Sequence, residues 1–326
     1  MIDELSALRR IEERFHKASK DVELGIGDDA AAVRFDSDKL VLSTTDSQVE
    51  DVHFTKSLIT PCELARKAVA VSVSDIGAMG GVSKFILASV GFSEREDEEF
   101  LEQLISGFIN SEQEFGVELI GGNLSSSNKL FIDITALGEV EPELMVKRSG
   151  ANPGDLIYAT GTLGDSALGL KILHNGLKDR NNYLVNRHFH PIPRLELGRE
   201  VALKRIATSM IDISDGLLLD LQRITSQQGI GAKIELMKLP ISKNYTKFIG
   251  QFSQNTFELA LSGGEDYELL FTSHEDRQRD IQEISKNLNI QITEIGCITK
   301  DSSIEVLNAD GEVLSLQNRG FVHFNN

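Results

Sequence analysis

Apolar residues recur along this chain at two spacings, one typical of strands and the other typical of helices. The apolar runs KLVLSTT, KFILASVGF, VELIGG and LFIDITALGEV predict strands in the first half of the chain. A helix is predicted from Thr60-Pro61-x-Glu63, which reads as a capping box, to about Met79, where two glycines follow. A second helix is predicted from Glu96 to about Phe115. Its apolar stripe consists of Phe100, Leu101, Leu104, Ile105, Phe108 and Ile109.

The pattern restarts after residues 142–153, where RSGANPGD concentrates glycine, proline and asparagine and predicts a loop. Beyond it the runs DLIYATG, AKIELMKL and YELLFTS predict strands, and GDSALGLKILHNG, PRLELGREVALKRI and DRQRDIQEISKNL predict helices. SIEVLNADGEVLSL predicts a hairpin that turns at Asp310-Gly311. At the start of the chain, residues 1–20 have helical spacing and AAVRF predicts a short strand. Strands that alternate with helices predict two α/β domains, 1–141 and 142–326.

Charge and composition narrow the class of partner. The 326 residues carry a formal net charge of −17, which disfavours nucleic acids and anionic membranes. There is no apolar run as long as a membrane span and no export signal, so we expect a cytoplasmic protein with Cys62 and Cys297 as free thiols. An anionic substrate would require cations between itself and such an acidic protein.

Acidic residues are concentrated in stretches of small and flexible residues that lie near the ends of apolar segments. These are GIGDDAA with Asp28 and Asp29, STTDSQVEDVHF with Asp46, SVSDIGAMGG with Asp75, IDISDGLLLD with Asp212 and Asp215, and LSGGEDYELLF with Glu265 and Asp266. LIGGNLSSS has the same glycine setting but carries Asn123. Mg²⁺ prefers oxygen ligands and binds through a few carboxylates and substrate phosphates. The set therefore predicts a magnesium site, to which Thr44, Thr45 and Ser214 would add hydroxyl groups.

Each stretch taken alone also has a structural interpretation. Asp28-Asp29 is typical of a solvated turn, Ser214-Asp215-Gly216 could cap the helix that follows, and His53 could be structural. Asp75 is different because it lies within an apolar helix and needs a partner, for which an ion is one candidate. The chain has no P-loop, no kinase catalytic loop and no complete dinucleotide fingerprint.

The motifs taken together resemble the thiamine-monophosphate kinases of the aminoimidazole ribonucleotide synthetase superfamily. The resemblance is carried in order by VELGIGDDAA, TTDSQVEDVHF, KAVAVSVSDIGAMG, KRSGANPGDLIYATGTLGDSALGL, RHFHPIPR, IDISDGLLLDL, LSGGEDYELLF and GFVHF. It implies that ATP donates its γ-phosphoryl group to thiamine monophosphate, which gives thiamine diphosphate and ADP. It also implies an α/β fold of the α+β type. The N-terminal domain would bind ATP and Mg²⁺ and form a β-barrel across a homodimer, with a C-terminal α/β domain beside it.

Matching the motifs residue by residue implies three sets of site residues. The implied magnesium ligands are Asp29, Thr44, Thr45, Asp46, Asp75, Asp212 and Asp215, with Asn123 and Asp28 as secondary candidates. The implied ATP contacts are Gly122, Asn123, Arg148 and Ser214. The implied contacts to thiamine monophosphate are His53, Glu265 and Phe321. A phosphate acceptor is already ionised near neutral pH, so no acid or base is assigned, and transfer would be direct, with assistance from metal and Arg148.

Two residues depart from the family pattern. Asn123 stands where aspartate is usual and removes one negative charge, and Phe321 stands where tyrosine is frequent and removes a hydroxyl. Two alternatives therefore stay open. One is another phosphate-activating enzyme of the superfamily, which the VEDVHF and SGGEDYE contexts disfavour. The other is a nucleotide- or thiamine-phosphate-binding protein without turnover, which the loss of a ligand at Asn123 would favour.

Overall fold

A computed structural model gives the fold. It describes residues 13–14, 22–24, 32–33, 38–176, 182–226, 228–314 and 320. Most of the predicted helix of residues 1–20 and most of the AAVRF strand lie outside these residues, as do Asp28, Asp29 and Phe321. Over the described part, the chain divides into two compact units. One comprises residues 1–76 and 81–143, and the other comprises residues 77–80 and 144–326.

The first unit contains a four-stranded sheet covered by two helices. Its elements are β1 Val22–Leu24, β2 Ala32–Val33, β3 Leu40–Val49, α1 Pro61–Ala78, β4 Val82–Phe92, α2 Glu98–Phe115, β5 Glu118–Ser126 and β6 Phe131–Val140. The sheet order is β3-β6-β4-β5, with β4 and β5 parallel and the other neighbours antiparallel; β1 and β2 form a separate antiparallel pair. The four described strands form an open sheet, so the barrel expected across a dimer is not present within this chain's described residues.

The predicted capping box at the start of α1 is confirmed. The Glu63 carboxylate accepts a hydrogen bond from the Thr60 N–H at 2.8 Å, and the Glu63 N–H donates to the Thr60 hydroxyl at 3.2 Å. α1 is apolar on nearly all sides and buried, whereas α2 buries one stripe that includes Leu101, Leu104 and Phe108. At Gly107 in α2, an added Cβ would lie 2.4 Å from a backbone oxygen of α1, so only glycine permits this approach of the two helices.

The second unit is a six-stranded mixed sheet with helices. Its elements are β7 Leu156–Thr160, α3 Asp165–His174, α4 Tyr183–Phe189, α5 Leu195–Leu203, β8 Ala207–Asp212, α6 Leu217–Ser226, β9 Gly231–Glu235, α7 Lys243–Phe248, α8 Glu258–Ser262, β10 Leu269–Ser273, α9 Gln278–Leu288, β11 Ile292–Thr299 and β12 Ile304–Leu307. The order is β12-β9-β11-β7-β10-β8, in which only β12 and β9 are parallel.

The two sheets and their helices confirm the predicted α/β class. The helices α4, α7 and α8 and the strands β8 and β11 were not predicted. The hairpin at Asp310-Gly311 forms, because the Asn308 N–H donates to the Glu312 carbonyl at 2.9 Å. No helix within the described ranges is both long enough and apolar enough to cross a membrane.

Candidate active site

The first unit brings three of the predicted magnesium ligands to one face of its sheet. Side chains alternate along a strand, so Thr44 and Asp46 share the face of β3 that packs against α1. The Thr44 hydroxyl donates a hydrogen bond to the Asp75 carboxylate, 2.6 Å away, across 31 positions of sequence. The aspartate within the apolar helix, Asp75, therefore has a partner, and that partner is the Thr44 hydroxyl on β3.

Asp46 has the least satisfied carboxylate of this group. Its Oδ2 atom is buried and has no hydrogen-bond partner among the described residues. Burial, followed by the neighbouring charge of Asp75, raises the pKa of Asp46 to about 6, although a hydrogen bond from the Ser72 hydroxyl lowers it. A half-buried carboxylate held beside a second carboxylate, with an oxygen left unbonded, is suited to receive a cation.

Thr45 and Asn123 lie on the opposite face of the same sheet. Thr45 is exposed and pairs with Thr135, whose hydroxyl lies 3.4 Å away. Strand register places Ser47, Asp133, Ser89 and Asn123 in one row across this outer face. Gly122 belongs to the inner row, and an added Cβ there would lie 1.9 Å from the Ala88 carbonyl oxygen, so a side chain is excluded.

His53 follows β3 in a tight turn that it helps to hold. Its Nδ1 atom accepts a hydrogen bond from the Val49 N–H at 3.0 Å, so the neutral ring carries its proton on Nε2. Nearby, the buried Glu50 accepts two hydrogen bonds from Arg95, at 2.7 and 3.0 Å. His53 therefore has a structural contact through one nitrogen.

The second unit places Asp212, Ser214 and Asp215 at the end of β8 and the start of α6. Asp212 is 2% exposed, whereas Ser214 and Asp215 are half-buried. The Asp215 carboxylate forms an ion pair with Arg223. At Gly216, φ is +118° and an added Cβ would lie 2.9 Å from the Ser262 backbone, so this turn requires glycine.

Asp220, one turn into α6, organises that loop. Its Oδ2 atom accepts hydrogen bonds from the backbone N–H groups of Ser214, Asp215 and Gly216 at 3.0, 3.0 and 3.2 Å. Its Oδ1 atom accepts one from Arg223 at 2.6 Å. Burial raises the pKa of Asp220 to about 6, against the lowering effect of Arg223 and with a further raising effect of Asp215.

The loop that carries Glu265 is bonded to the Ser214 loop. The Glu265 N–H donates to the Ser214 carbonyl at 2.7 Å, and the Tyr267 N–H donates to the Ile213 carbonyl at 2.9 Å. Both donors have positive φ, +67° and +51°, which is uncommon for residues with side chains. The Glu265 carboxylate lies 3.1 Å from Nδ1 of the buried His188.

The two other acids of that loop, Asp266 and Glu268, are buried and make structural hydrogen bonds. The Asp266 carboxylate, 1% exposed, accepts the Gly164 N–H at 2.7 Å beside the start of α3. Glu268 is fully buried and accepts hydrogen bonds from Arg187 at 3.0 Å and from Arg194 Nε at 2.6 Å. Of the three acids in EDYE, Glu265 alone presents a partly exposed carboxylate, 26% accessible.

Arg148 lies in the loop before β7 and is exposed. Next to it in the chain, the Lys147 carbonyl accepts a hydrogen bond from the Met210 N–H of β8 at 3.0 Å, which fixes this loop beside the strand that ends in Asp212. Over the part of the chain that the structure describes, histidine, cysteine and acidic side chains form no group of three or more arranged to hold a metal ion.

Comparison with family models and with known proteins identifies the family of this chain. The model for AIR synthase related protein, N-terminal domain, matches residues 27–140, and the model for its C-terminal domain matches residues 152–307. Thiamine-monophosphate kinase from Escherichia coli (strain K12) is 37% identical over 325 residues, which cover 98% of both chains. This chain belongs to the thiamine-monophosphate kinase family.

Solved structures of the kinase family share the fold over nearly the whole chain. The crystal structure of thiamine-monophosphate kinase from Stenotrophomonas maltophilia K279a has a TM-score of 0.84 and 30% identity, and covers 96% of this chain and 98% of that one. The structure named AaThiL complexed with AMPPCP and TMP has a TM-score of 0.79 and 33% identity, and covers 98% of this chain and 97% of that one.

The structure of this kinase-family chain adds three residues that sequence reasoning missed: His188, Asp220 and Arg223. Asp220 and His188 stood within the quoted motifs IDISDGLLLD and RHFHPIPR, but neither received a role. Asp220 had the same signal as Asp75, an aspartate among residues that the fold buries, here Leu217, Leu218 and Leu221. Arg223 also had a local signal, its i,i+3 spacing from Asp220 in the stretch that follows Ser214-Asp215-Gly216, but it too received no role.

Proposed function

We propose that this protein transfers the γ-phosphoryl group of ATP to thiamine monophosphate, with Mg²⁺, and releases thiamine diphosphate and ADP. Full-length similarity to thiamine-monophosphate kinases supports the reaction, and a family structure with AMPPCP and TMP supports the two substrates. The observation that carries the proposal is the buried Oδ2 of Asp46, which lies beside Asp75 and has no hydrogen-bond partner in the part of the chain that the structure describes. Such an oxygen is costly in a protein unless a ligand completes it.

The donor set of the first unit fits Mg²⁺. Asp46, Asp75 and Thr44 supply hard oxygen atoms on one face, and Mg²⁺ binds through one or two carboxylates together with waters and substrate phosphates. When bound, the ion would neutralise negative charge on the phosphates. Asp212 and Asp215 are proposed as further ligands in the second unit, and Asp28 and Asp29, which lie outside the described residues, as ligands from the stretch of sequence before β2.

The remaining proposed roles concern binding and orientation. Thiamine monophosphate brings an ionised nucleophile, so the chain needs no general base and transfer is direct. Arg148 would grip phosphate oxygens with its planar fork, and Gly122 and Ser214 would contact the nucleotide. His53, Glu265 and Phe321 would contact thiamine monophosphate. Thr45 and Asn123 would act from the outer face of the sheet.

The outer sheet face also supports a homodimer. In the single chain this face presents the polar row of Ser47, Asp133, Ser89 and Asn123, with the exposed apolar side chain of Val41 on the same strand as Ser47. Pairing of this face with its copy would build the barrel that the family resemblance implies and would assign dimerisation and ATP binding to residues 1–141. The net charge of −17 argues against nucleic acids and anionic membranes as partners and is in keeping with a cytoplasmic enzyme.

The test is an assay of the purified protein with ATP, thiamine monophosphate and titrated Mg²⁺, in which ADP and thiamine diphosphate are both measured. Formation of the two products in equal amounts, dependent on Mg²⁺, is expected. No product under conditions in which an authentic kinase of the family turns over would contradict the proposal.

Asn123 favours a second candidate, a binding protein without turnover. Calorimetric binding of an ATP analogue and thiamine monophosphate without ADP release would support it, and recovery of turnover by Asn123→Asp would assign the loss to that position. A panel of other phosphate acceptors, followed by ADP release, would identify a different enzyme of the superfamily.

A further inference from the structure

The loop from Ser214 to Gly216 holds three consecutive backbone N–H groups that converge on one oxygen. Such a convergence at the start of a helix commonly binds an external anion such as phosphate. Here the anion is the protein's own Asp220, at 3.0, 3.0 and 3.2 Å. The amides are therefore occupied by the protein's own carboxylate, and the half-buried side chains of Ser214 and Asp215 are the groups of this loop proposed to contact a ligand.

Arg223 completes the arrangement from the next turn of α6. It donates to Asp220 Oδ1 at 2.6 Å and pairs with Asp215, so one guanidinium joins the buried acid to the half-buried one. The loop is also tied to the Glu265 segment through the Ser214 carbonyl. Asp220 thus fixes the backbone from which two proposed ligand-binding side chains project.

We infer that Asp220 is a positioning residue for nucleotide and metal binding: it sets the conformation of the Ser214–Gly216 loop without touching the ligand. This inference rests on the proposed function for its kinetic consequences, but its structural part does not. Loss of Asp220 frees three amides and removes the fixed geometry of Ser214 and Asp215. Residues that orient ligand-bearing groups in this way typically affect metal affinity or activity by about 10–100-fold.

The structural test is amide hydrogen exchange on the full chain without substrates. In Asp220→Ala, we expect the amides of Ser214, Asp215 and Gly216 to exchange at least about tenfold faster than in the wild type, with Asp220→Asn intermediate because its carbonyl still accepts. The matched control is Asp155→Ala. Asp155 is 1% exposed and accepts the Asn152 N–H and the Thr208 hydroxyl, at 2.8 and 2.7 Å, in the same unit. Unchanged exchange of the three amides in Asp220→Ala would overturn the inference.

The kinetic test compares Michaelis constants in the same variants at equal folded fraction. We expect Asp220→Ala to raise the KM for MgATP by about 10–100-fold and to raise it more than the KM for thiamine monophosphate, with partial recovery in Asp220→Asn. Asp155→Ala should leave both constants near their wild-type values. Equal increases in KM in Asp220→Ala and Asp155→Ala would mean that Asp220 only stabilises the fold. A wild-type chain without turnover would refute the proposed function instead, and calorimetric affinity for an MgATP analogue would then replace KM as the readout.

Discussion

The two units differ in the partners that they supply to their buried aspartates. In the second unit, Asp220 receives four hydrogen bonds, and Arg223 joins it to Asp215, so the protein supplies its own donors and its own cation. In the first unit, Asp46 lies beside a second carboxylate, Asp75, and has one buried oxygen for which the described residues supply no hydrogen-bond partner. Burial raises the pKa of both Asp46 and Asp220 to about 6, so desolvation alone does not separate them.

The difference lies in what completes each carboxylate. A buried acid whose hydrogen bonds are all made holds the backbone in place. Asp220 is an example, because it accepts hydrogen bonds from three consecutive backbone N–H groups. An unsatisfied buried acid destabilises the ligand-free protein until a cation arrives, and this is the behaviour expected of a binding site. The predictions below test this contrast between Asp46 and the Asp220–Arg223 group.

The largest effect is expected for Asp46→Asn. The substitution keeps the shape of the side chain but removes the charge that the proposed cation needs, so kcat/KM should fall by about two to three orders of magnitude. Steady-state kinetics over a Mg²⁺ titration would measure this, and circular dichroism should show an unchanged fold.

The control for that variant is Asp51→Asn, the same chemical change at an exposed acid just beyond β3. Asp51 has φ of +64°, which asparagine tolerates, and its ion pair with Lys129 lies at the surface at 3.2 Å. It should retain activity within about twofold, since exposed pairs contribute little. Comparable losses in the two variants would remove Asp46 from the site.

The sequence pattern contained part of this contrast. Alternation along LVLSTTDSQV places Thr44 and Asp46 on one face and Thr45 on the other, and the apolar surroundings of Asp75 called for a partner. The partner itself depends on how α1 packs on β3, which no local pattern specifies. The same holds for His188 and Glu265, 77 positions apart in sequence, which meet only because the second unit folds.

The next effect concerns Arg223→Met and should appear in stability. The change leaves Asp220 buried and Asp215 without its cation, which should lower the free energy of unfolding by about 2–3 kcal/mol, less than for a fully buried pair because Arg223 is partly exposed. Arg223→Lys should be intermediate, since an ammonium lacks the fork that bridges two carboxylates. Urea denaturation would measure both.

Lys238→Met is the matched control for Arg223→Met. Lys238 pairs with Glu235 at the same i,i+3 spacing, at 2.8 Å, but both side chains are well exposed. Its loss should cost no more than about 1 kcal/mol. An equally small cost for Arg223→Met would mean that the Asp220 group is not held by its cation.

A smaller effect is expected in the pH dependence of stability without metal. Because the folded-state pKa of Asp46 is raised from 3.8 to about 6, protonated Asp46 is favoured in the fold, and this stability is present below pH 3.8 and lost by about pH 6. Asp46→Asn should match the wild type near pH 4 and exceed it by about 1–2 kcal/mol near pH 7.5, a discounted value since the side chain is partly exposed. Asp220 is present in both proteins, so its contribution cancels in the difference between their free energies of unfolding.

Excess Mg²⁺ should then reverse that order near neutral pH, because an ion that binds only the folded wild type stabilises it by mass action. Parallel stability curves for the two proteins from about pH 4 to about pH 7.5 would contradict the raised pKa of Asp46. A gain from Mg²⁺ that is equal in both proteins would place the ion elsewhere.

The smallest effect distinguishes two adjacent threonines. Thr44→Val removes the 2.6 Å hydrogen bond to Asp75 and should cost about 1 kcal/mol of unfolding free energy, whereas Thr45→Val, on the exposed outer face, should stay within about 0.5 kcal/mol. Chemical denaturation of both variants measures the difference. Turnover of the two variants should then be measured as well, because Thr45 can contact a ligand only from the outer face of the sheet. Loss of turnover in Thr45→Val at unchanged stability would show that the outer face takes part in the site, and full retention would remove Thr45 from the proposed metal ligands.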